Sequence, residues 1–185
     1  ALAFERAHCP VIVAENGWIG RTNEGGKFYS LCLNHHNGAG RWFEGSDDRL
    51  AMMNIEFKPW RQSGDHIVIL ASRGIGEPGI AQPRDWPDRA ARDLKRRTNR
   101  PIILRRHPGD SHADIGPDIH NAHAVFTWAS GAAIKALAQG VPAYYELPSW
   151  IGAGAARHIS HDLDDPYLGD RLPTFRRLAQ AQWTA

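Results

Sequence analysis

Two stretches decide how this chain is read: Ile102-Ile103-Leu104-Arg105-Arg106-His107-Pro108-Gly109, and further on Ala124-Val125-Phe126-Thr127-Trp128-Ala129-Ser130-Gly131. Each opens as a short apolar run and ends in a glycine-containing loop. That is the pattern of a buried parallel strand followed by its exit. In open α/β sheets the carboxyl edge of the strands is where ligands sit. Arg105 and His107 bring cationic and imidazole donors to that edge. Ser130 and Gly131 begin a helix whose first amides point at an anion.

Working outward, the same alternation continues on both sides. Residues 66–71 read as a strand and 84–97 as a helix, followed by a strand at 101–104 and a short helix within 114–122. A strand at 123–127, a helix at 130–139 and a strand at 141–145 come next, with Gly140 as the residue that ends the helix. Residues 173–183 read as a last helix with Pro173 near its start. Strands alternating with helices predict an α/β protein: a Rossmann-like parallel sheet with helices on both faces. Upstream, residues 10–14 read as a strand that ends at Glu15. Residues 18–64 show no sustained period and are broken by Gly20, Gly25, Gly26, Gly38, Gly40 and Gly45, which predicts a long irregular stretch.

The 185 residues, 42% hydrophobic and 23% charged, suit a globular chain with one good core. No apolar run approaches the roughly 20 residues of a membrane span. The first residues lack a signal-peptide core, and Cys9 and Cys32 have neither zinc nor CxxC spacing, so the expectation is a cytoplasmic location with reduced thiols. The first residue is not Met, which suggests a piece of a longer chain. Charge is uneven. Between Arg84 and His107 nine Lys or Arg stand against three Asp, a local charge of +6 within a net charge of +2. Arg89, Arg92, Arg96 and Arg97 are therefore candidate contacts to nucleic acid, with a solvated helix face as the plain alternative.

Four exit loops carry the expected ligand chemistry: Ser72-Arg73-Gly74-Ile75-Gly76, residues 105–110, residues 127–131 and residues 146–150. Arg73, Arg105, His107 and Ser130 are candidate phosphate donors. Gly74, Gly76 and Gly131 let backbone amides approach an anion, and Glu146 closes the set. The run Gly74-Ile75-Gly76-Glu77-Pro78-Gly79 matches GxGxxG, and Arg105 with Arg106 could take a 2′-phosphate, the pattern of an NADP-dependent oxidoreductase. Pro78, Pro83 and Pro87 argue against the helix which that fingerprint requires. There is no P-loop, and Ser130 lacks the glycine of a nucleophile elbow. The pairs His120/His123 and His158/His161 lack an obvious third ligand, so no metal is expected. Trp18, Trp42, Trp60 and Trp86 could stack on sugars or bases, with core packing as the plainer use.

The chain resembles glycosyltransferases of the two-Rossmann-domain GT-B type, and is most similar to a bacteriophage family of DNA-modifying glycosyltransferases. The likeness runs through Val13-Ala14-Glu15-Asn16-Gly17-Trp18-Ile19-Gly20 and Tyr29-Ser30-Leu31-Cys32-Leu33-Asn34-His35-His36-Asn37-Gly38. It continues in Arg105-Arg106-His107-Pro108, Thr127-Trp128-Ala129-Ser130, Ala136-Leu137-Ala138-Gln139-Gly140-Val141-Pro142 and Ala181-Gln182-Trp183-Thr184. The His-Pro and Thr-Trp-x-Ser pair is also similar to that of capsule transferases using CMP-activated sugars, where it grips the nucleotide phosphate. Two positions depart from the pattern. Lys135 stands where such enzymes often carry an acidic ribose ligand, and Arg106 stands where they carry proline.

The resemblance implies a nucleotide-sugar donor as co-substrate, with no metal and no further cofactor. It implies residues 1–64 as the remnant of an acceptor-side half and residues 65–185 as the donor-binding domain. Arg105, His107 and Ser130 would stabilise the leaving phosphate and Glu15 would be the general base. A hydroxymethylated base in phage double-stranded DNA is the acceptor it suggests, in the cytoplasm of the host. The alternative class is a non-catalytic module that binds nucleotide or nucleic acid, and a cleft between His107 and Glu15 would separate the two.

Overall fold

In the computed structural model, which describes residues 9–19, 22, 25–34, 42–107 and 114–184, the chain runs β1 (Ile12–Asn16), β2 (Tyr29–Leu33), α1 (Asp47–Ala51), β3 (His66–Leu70) and α2 (Trp86–Arg97). It continues through β4 (Ile102–Arg105), α3 (Gly116–Ile119), β5 (Ala122–Thr127), α4 (Gly131–Ala138) and β6 (Ala143–Tyr145). A 3₁₀ turn (Ile151–Ala155), β7 (Arg157–His158), α5 (Leu172–Ala181) and β8 (Gln182–Trp183) complete it.

Five strands form a wholly parallel sheet in the order β4-β3-β5-β6-β7. The reason is visible in β3. Ile67 and Ile69 pack with Trp86 and Leu94 of α2, while Val68 and Leu70 pack with Ile134 and Leu137 of α4. A strand with both faces covered must be apolar throughout, and these four residues are buried. The chain leaves β3 for β4 on one side and returns past it to β5 on the other. The carboxyl ends of β3 and β5 therefore flank the switch point, where such sheets bind ligands. This is the Rossmann-like α/β arrangement expected from the sequence.

The two faces are dressed differently. On one, α2 is the one helix among the described residues. The rest of that face is covered by the segment after β7, held by the Tyr144 hydroxyl donating to the carbonyls of Asp162 (2.8 Å) and Leu163 (3.1 Å). Burial pushes the Tyr144 phenol up to about 12. On the other face lie α1, α3, α4, α5 and the N-terminal residues. Here a single core joins Trp18, Phe28, Leu50 and Met53 to Val68, Val125, Ile134 and Leu178. The hydrophobic core thus crosses the 64/65 boundary expected from the sequence.

The stretch expected to be irregular contains both β2 and α1. β2 pairs antiparallel with β1 and with β8, making a three-stranded sheet. Its inward positions are Ser30 and Cys32, which carry too little hydrophobicity to mark a strand. α1 is a single turn capped by Ser46 and is too short to show a period. The last helix ends at Ala181, and Gln182 and Trp183 become a strand, because Ser30 and Tyr29 offer them backbone partners. β1 begins and ends two residues later than expected, so Glu15 lies within the strand. No helix among the described residues is long and apolar enough to cross a membrane.

Two devices join the layers. Gly140 has φ +74 and ends α4, and a Cβ there would lie 2.0 Å from the Pro59 carbonyl. That approach lets residues 58–61 lie along the helix end, with Lys58 N donating to Ala138 O (3.0 Å) and Arg61 N to Gly140 O (2.7 Å). Arg171 is buried with no carboxylate partner among the described residues. Its guanidinium donates to the Leu137 carbonyl (2.5 Å) and the Lys58 carbonyl, and lies 4.4 Å from the Trp60 ring centre.

His123 of β5 is buried, and its Nδ1 has no partner among the described residues. Burial first and the Arg100 charge second lower its pKa below the ordinary 6.5. A base whose folded pKa is depressed is protonated more readily when unfolded, so stability is complete above about pH 6.5 and falls as pH drops below it. Urea midpoints measured from pH 8 to pH 5 are expected to decline below about pH 6.5, and His123→Leu is expected to flatten that part of the curve. An unchanged slope in the variant would assign the decline to other groups.

Candidate functional site at the carboxyl edge of the sheet

The exits of β3, β4, β5 and β6 share one edge, since all four strands are parallel. β3 separates β4 from β5, so His107 and Ser130 leave strands whose axes are about 10 Å apart at the usual strand spacing. They are neighbours along the edge, not on adjoining strands. The gap is filled from β3. Arg73 Nε donates to His107 Nδ1 at 3.2 Å, and both side chains are exposed. Two of the expected phosphate donors are thus brought together. Gly74 (φ +67) and Gly76 (φ +134) follow in conformations natural to glycine. Pro108, Gly109 and Asp110 of the next loop lie outside the described residues.

Ser130 is the N-cap of α4. Its Oγ accepts from Ala132 N (3.2 Å) and its own N–H donates to Thr127 Oγ1 (2.8 Å). Thr127 is the last residue of β5 and is fully buried, so strand end and helix start are rigidly joined. Arg105 is committed elsewhere: its Nε meets Asp118 Oδ2 at 2.5 Å and its Nη2 donates to Asp114 O at 3.1 Å. A carboxylate partner of this kind already occupies the guanidinium that was expected to face phosphate.

The N-terminal motif reaches this edge through Trp18. A Cβ on Gly131 would lie 2.8 Å from Trp18 Cδ1, so the indole covers the first residue of α4 and requires glycine there. Gln182 holds it in place. Its buried Oε1 accepts from Trp18 N (2.5 Å) and Ile19 N (3.1 Å), and its Nε2 donates to Ile19 O (2.8 Å). The Gln182-Trp183 motif at the end of the chain and the Gly17-Trp18 motif near its start are therefore one structural unit. Nothing local in the sequence links these two motifs, because the residues lie at opposite ends of the chain. Glu15, half-buried in β1, faces Ser30 across the ladder.

Glu146 goes to the α2 face. It accepts a hydrogen bond from Trp86 Nε1 and lines a cleft of about 400 Å³ together with Arg89, Arg92, Arg96 and Arg97. Three of those arginines are paired: Arg89 with Asp85 (2.9 Å), Arg96 with Asp93 (2.9 Å) and Arg97 with Asp93 (3.4 Å). Arg97 also donates to the carbonyls of Ile159 and His161, pinning the segment after β7. Arg92 has no ion pair among the described residues.

A second cleft, of about 510 Å³, lies between α3 and α4. Neither cleft is lined by Glu15, His107 or Ser130. Helix α2 begins at Trp86, well past Gly79, so the GxGxxG run lacks the strand–turn–helix geometry of a dinucleotide fingerprint. The four tryptophans considered for stacking all pack internally: Trp18 against Trp42, Trp60 against Tyr167 and Trp86 against Trp128. Among the described residues no three His, Cys, Asp or Glu side chains converge as metal ligands.

Gln182→Ala is expected to cost about 1–3 kcal/mol, because two amides lose their acceptor in a buried place. The midpoint of denaturation should fall and the tryptophan emission should shift red as Trp18 loosens. Stability unchanged within about 0.5 kcal/mol would mean that Gln182 does not hold the N-terminal segment.

Compared with protein-family models, with curated proteins and with solved structures, the chain matches none.

Proposed function

We propose that the protein is a nucleotide-sugar-dependent glycosyltransferase whose donor phosphates lie along the carboxyl edge of the parallel sheet. The observation that carries this reading is that Arg73, which leaves β3 beside the switch point, pairs with His107 from the β4 exit, while the Ser130 helix start leaves β5 on the other side. A negatively charged leaving group there would meet a guanidinium, an imidazole, glycine-loop amides and a helix dipole. In the reaction, an acceptor hydroxyl oxygen bonds to the anomeric carbon and the bond from that carbon to the phosphate oxygen breaks. The nucleotide departs with the electron pair. Glu15 is the proposed base that receives the hydroxyl proton. The Trp18–Gly131 contact supports this role, since it ties the end of β1 to the helix start.

The arginine cleft favours a second reading, a module that binds a polyanion without catalysis. Its arginines lie on the face of the sheet opposite to the one that packs Trp18. An acceptor DNA touching both Glu15 and α2 would have to pass around the edge of the sheet. A binding module has no such requirement.

Thermal-shift screening against UDP-, GDP- and CMP-sugars tests the first reading. One of them is expected to raise the melting temperature, and His107→Ala should weaken its binding by about 1.5–3 kcal/mol, as for a lost charged hydrogen bond. His107 is exposed, so the unliganded melting temperature should stay where it was. A large loss of stability with unchanged affinity would make His107 structural.

If α2 contacts DNA, log Kd for a duplex should depend on log salt with a slope of roughly 0.9 per phosphate. Arg92→Glu with Arg96→Glu should flatten it and leave nucleotide-sugar affinity alone. A duplex that does not bind at low salt, or that ignores these reversals, removes DNA as a partner of this helix.

A further inference from the structure

The cleft between α3 and α4 has a composition that neither reading uses. Among the described residues that line it the cations are Lys58, Arg61 and Lys135, and Asp114 is the one carboxylate. The Arg61 guanidinium is fixed, donating from Nη1 to the carbonyls of Ile119 and Ala122 at 2.8 Å each. Lys58 sits on the segment clamped by Ala138 and Arg171, so its backbone is rigid while its side chain is exposed. Lys135 and Gln139 are one turn apart on α4 and share its face. Neither lysine has a carboxylate partner among the described residues. Asp118, the nearest acid of α3, is taken by Arg105.

Three fixed or rigidly mounted cations around one concavity concentrate counter-ions there. The floor is different in kind: Ile115 and Ile119 are buried apolar residues at the cleft's base. A volume of about 510 Å³ is that of a small-molecule site. A cationic wall over an apolar floor suits a compact ligand with a phosphate at one end and a ring at the other. A duplex backbone would call for an open, uniformly polar surface.

We propose that this cleft is an anion site for a small phosphorylated ligand, with Lys58 and Lys135 as its charge-bearing contacts and Arg61 as a fixed positive pole. It shares no residue with the Arg73–His107 pair and does not rest on the transferase reading.

The test is calorimetric titration of the whole chain with inorganic pyrophosphate, alongside a short duplex DNA. Four proteins are compared: wild type, Lys58→Gln, the double variant Lys58→Gln/Lys135→Gln, and Lys95→Gln. Both lysines are exposed, and circular dichroism checks that the variants fold. Saturable binding of pyrophosphate is expected, with a component weakened tenfold or more in the double variant, as two charge-assisted contacts require. Lys95→Gln, an exposed charge on α2, should stay within about twofold of wild type. Absence of saturable binding, an unaffected double variant, or equal weakening by Lys95→Gln would overturn the proposal. A duplex that binds far more tightly than pyrophosphate and is lost in the double variant would also overturn it, in favour of a nucleic-acid backbone.

Discussion

A parallel sheet must be covered on both faces, and most of this molecule follows from how that constraint is met. The backbone polar groups of β3, β5 and β6 are spent on neighbouring strands on both sides, and most of their side chains are apolar and buried. On one face, α4, α5, the 3₁₀ turn and the N-terminal sheet supply a continuous cover. On the other, α2 covers β3 and β4 and little remains for β6 and β7. The segment after β7 closes that gap only because Tyr144 and Arg97 hold its carbonyls. The arginine-lined cleft is what is left of the uncovered ground.

The same constraint explains why the ends of the chain meet. The three-stranded sheet has no core of its own; Phe28 and Trp18, which flank its strands, turn inward into the core that covers the larger sheet. Gln182 finishes the job by satisfying the amides of Trp18 and Ile19, groups that would otherwise be buried without acceptors. Arg171 does the equivalent for the carbonyls of Leu137 and Lys58 at the other end of α4. Both are polar side chains placed in the interior because backbone groups there lack partners. Removing either leaves several of those groups unpaired at once.

Much of the parallel sheet was legible because its signals are local. The apolar runs of β3 and β5, the Ser130 cap and the Gly140 stop each depend on a handful of consecutive residues. The residues of the carboxyl edge follow from the same alternation, since parallel strands put all their exits on one side. β2 and α1 were illegible for an equally physical reason. Ser30 and Cys32 are weakly hydrophobic inward residues, and α1 is one turn long. The partners of Arg105 and Glu146 were illegible too, because Asp118 and Trp86 reach them through space.

By itself the sequence determined the alternating α/β order, the positive charge of the α2 region and the identity of the groups on the sheet's carboxyl edge. Those are properties of neighbouring residues and of strand direction. Only the tertiary structure decided which of those groups face one another. It paired Arg73 with His107 across two strand exits, turned Arg105 toward a carboxylate, and moved Glu146 to the arginine cleft. It also laid Trp18 on Gly131 through a glutamine far along the chain. Strand order and the competition of buried polar groups for partners set these contacts, and neither is written in any short window of residues.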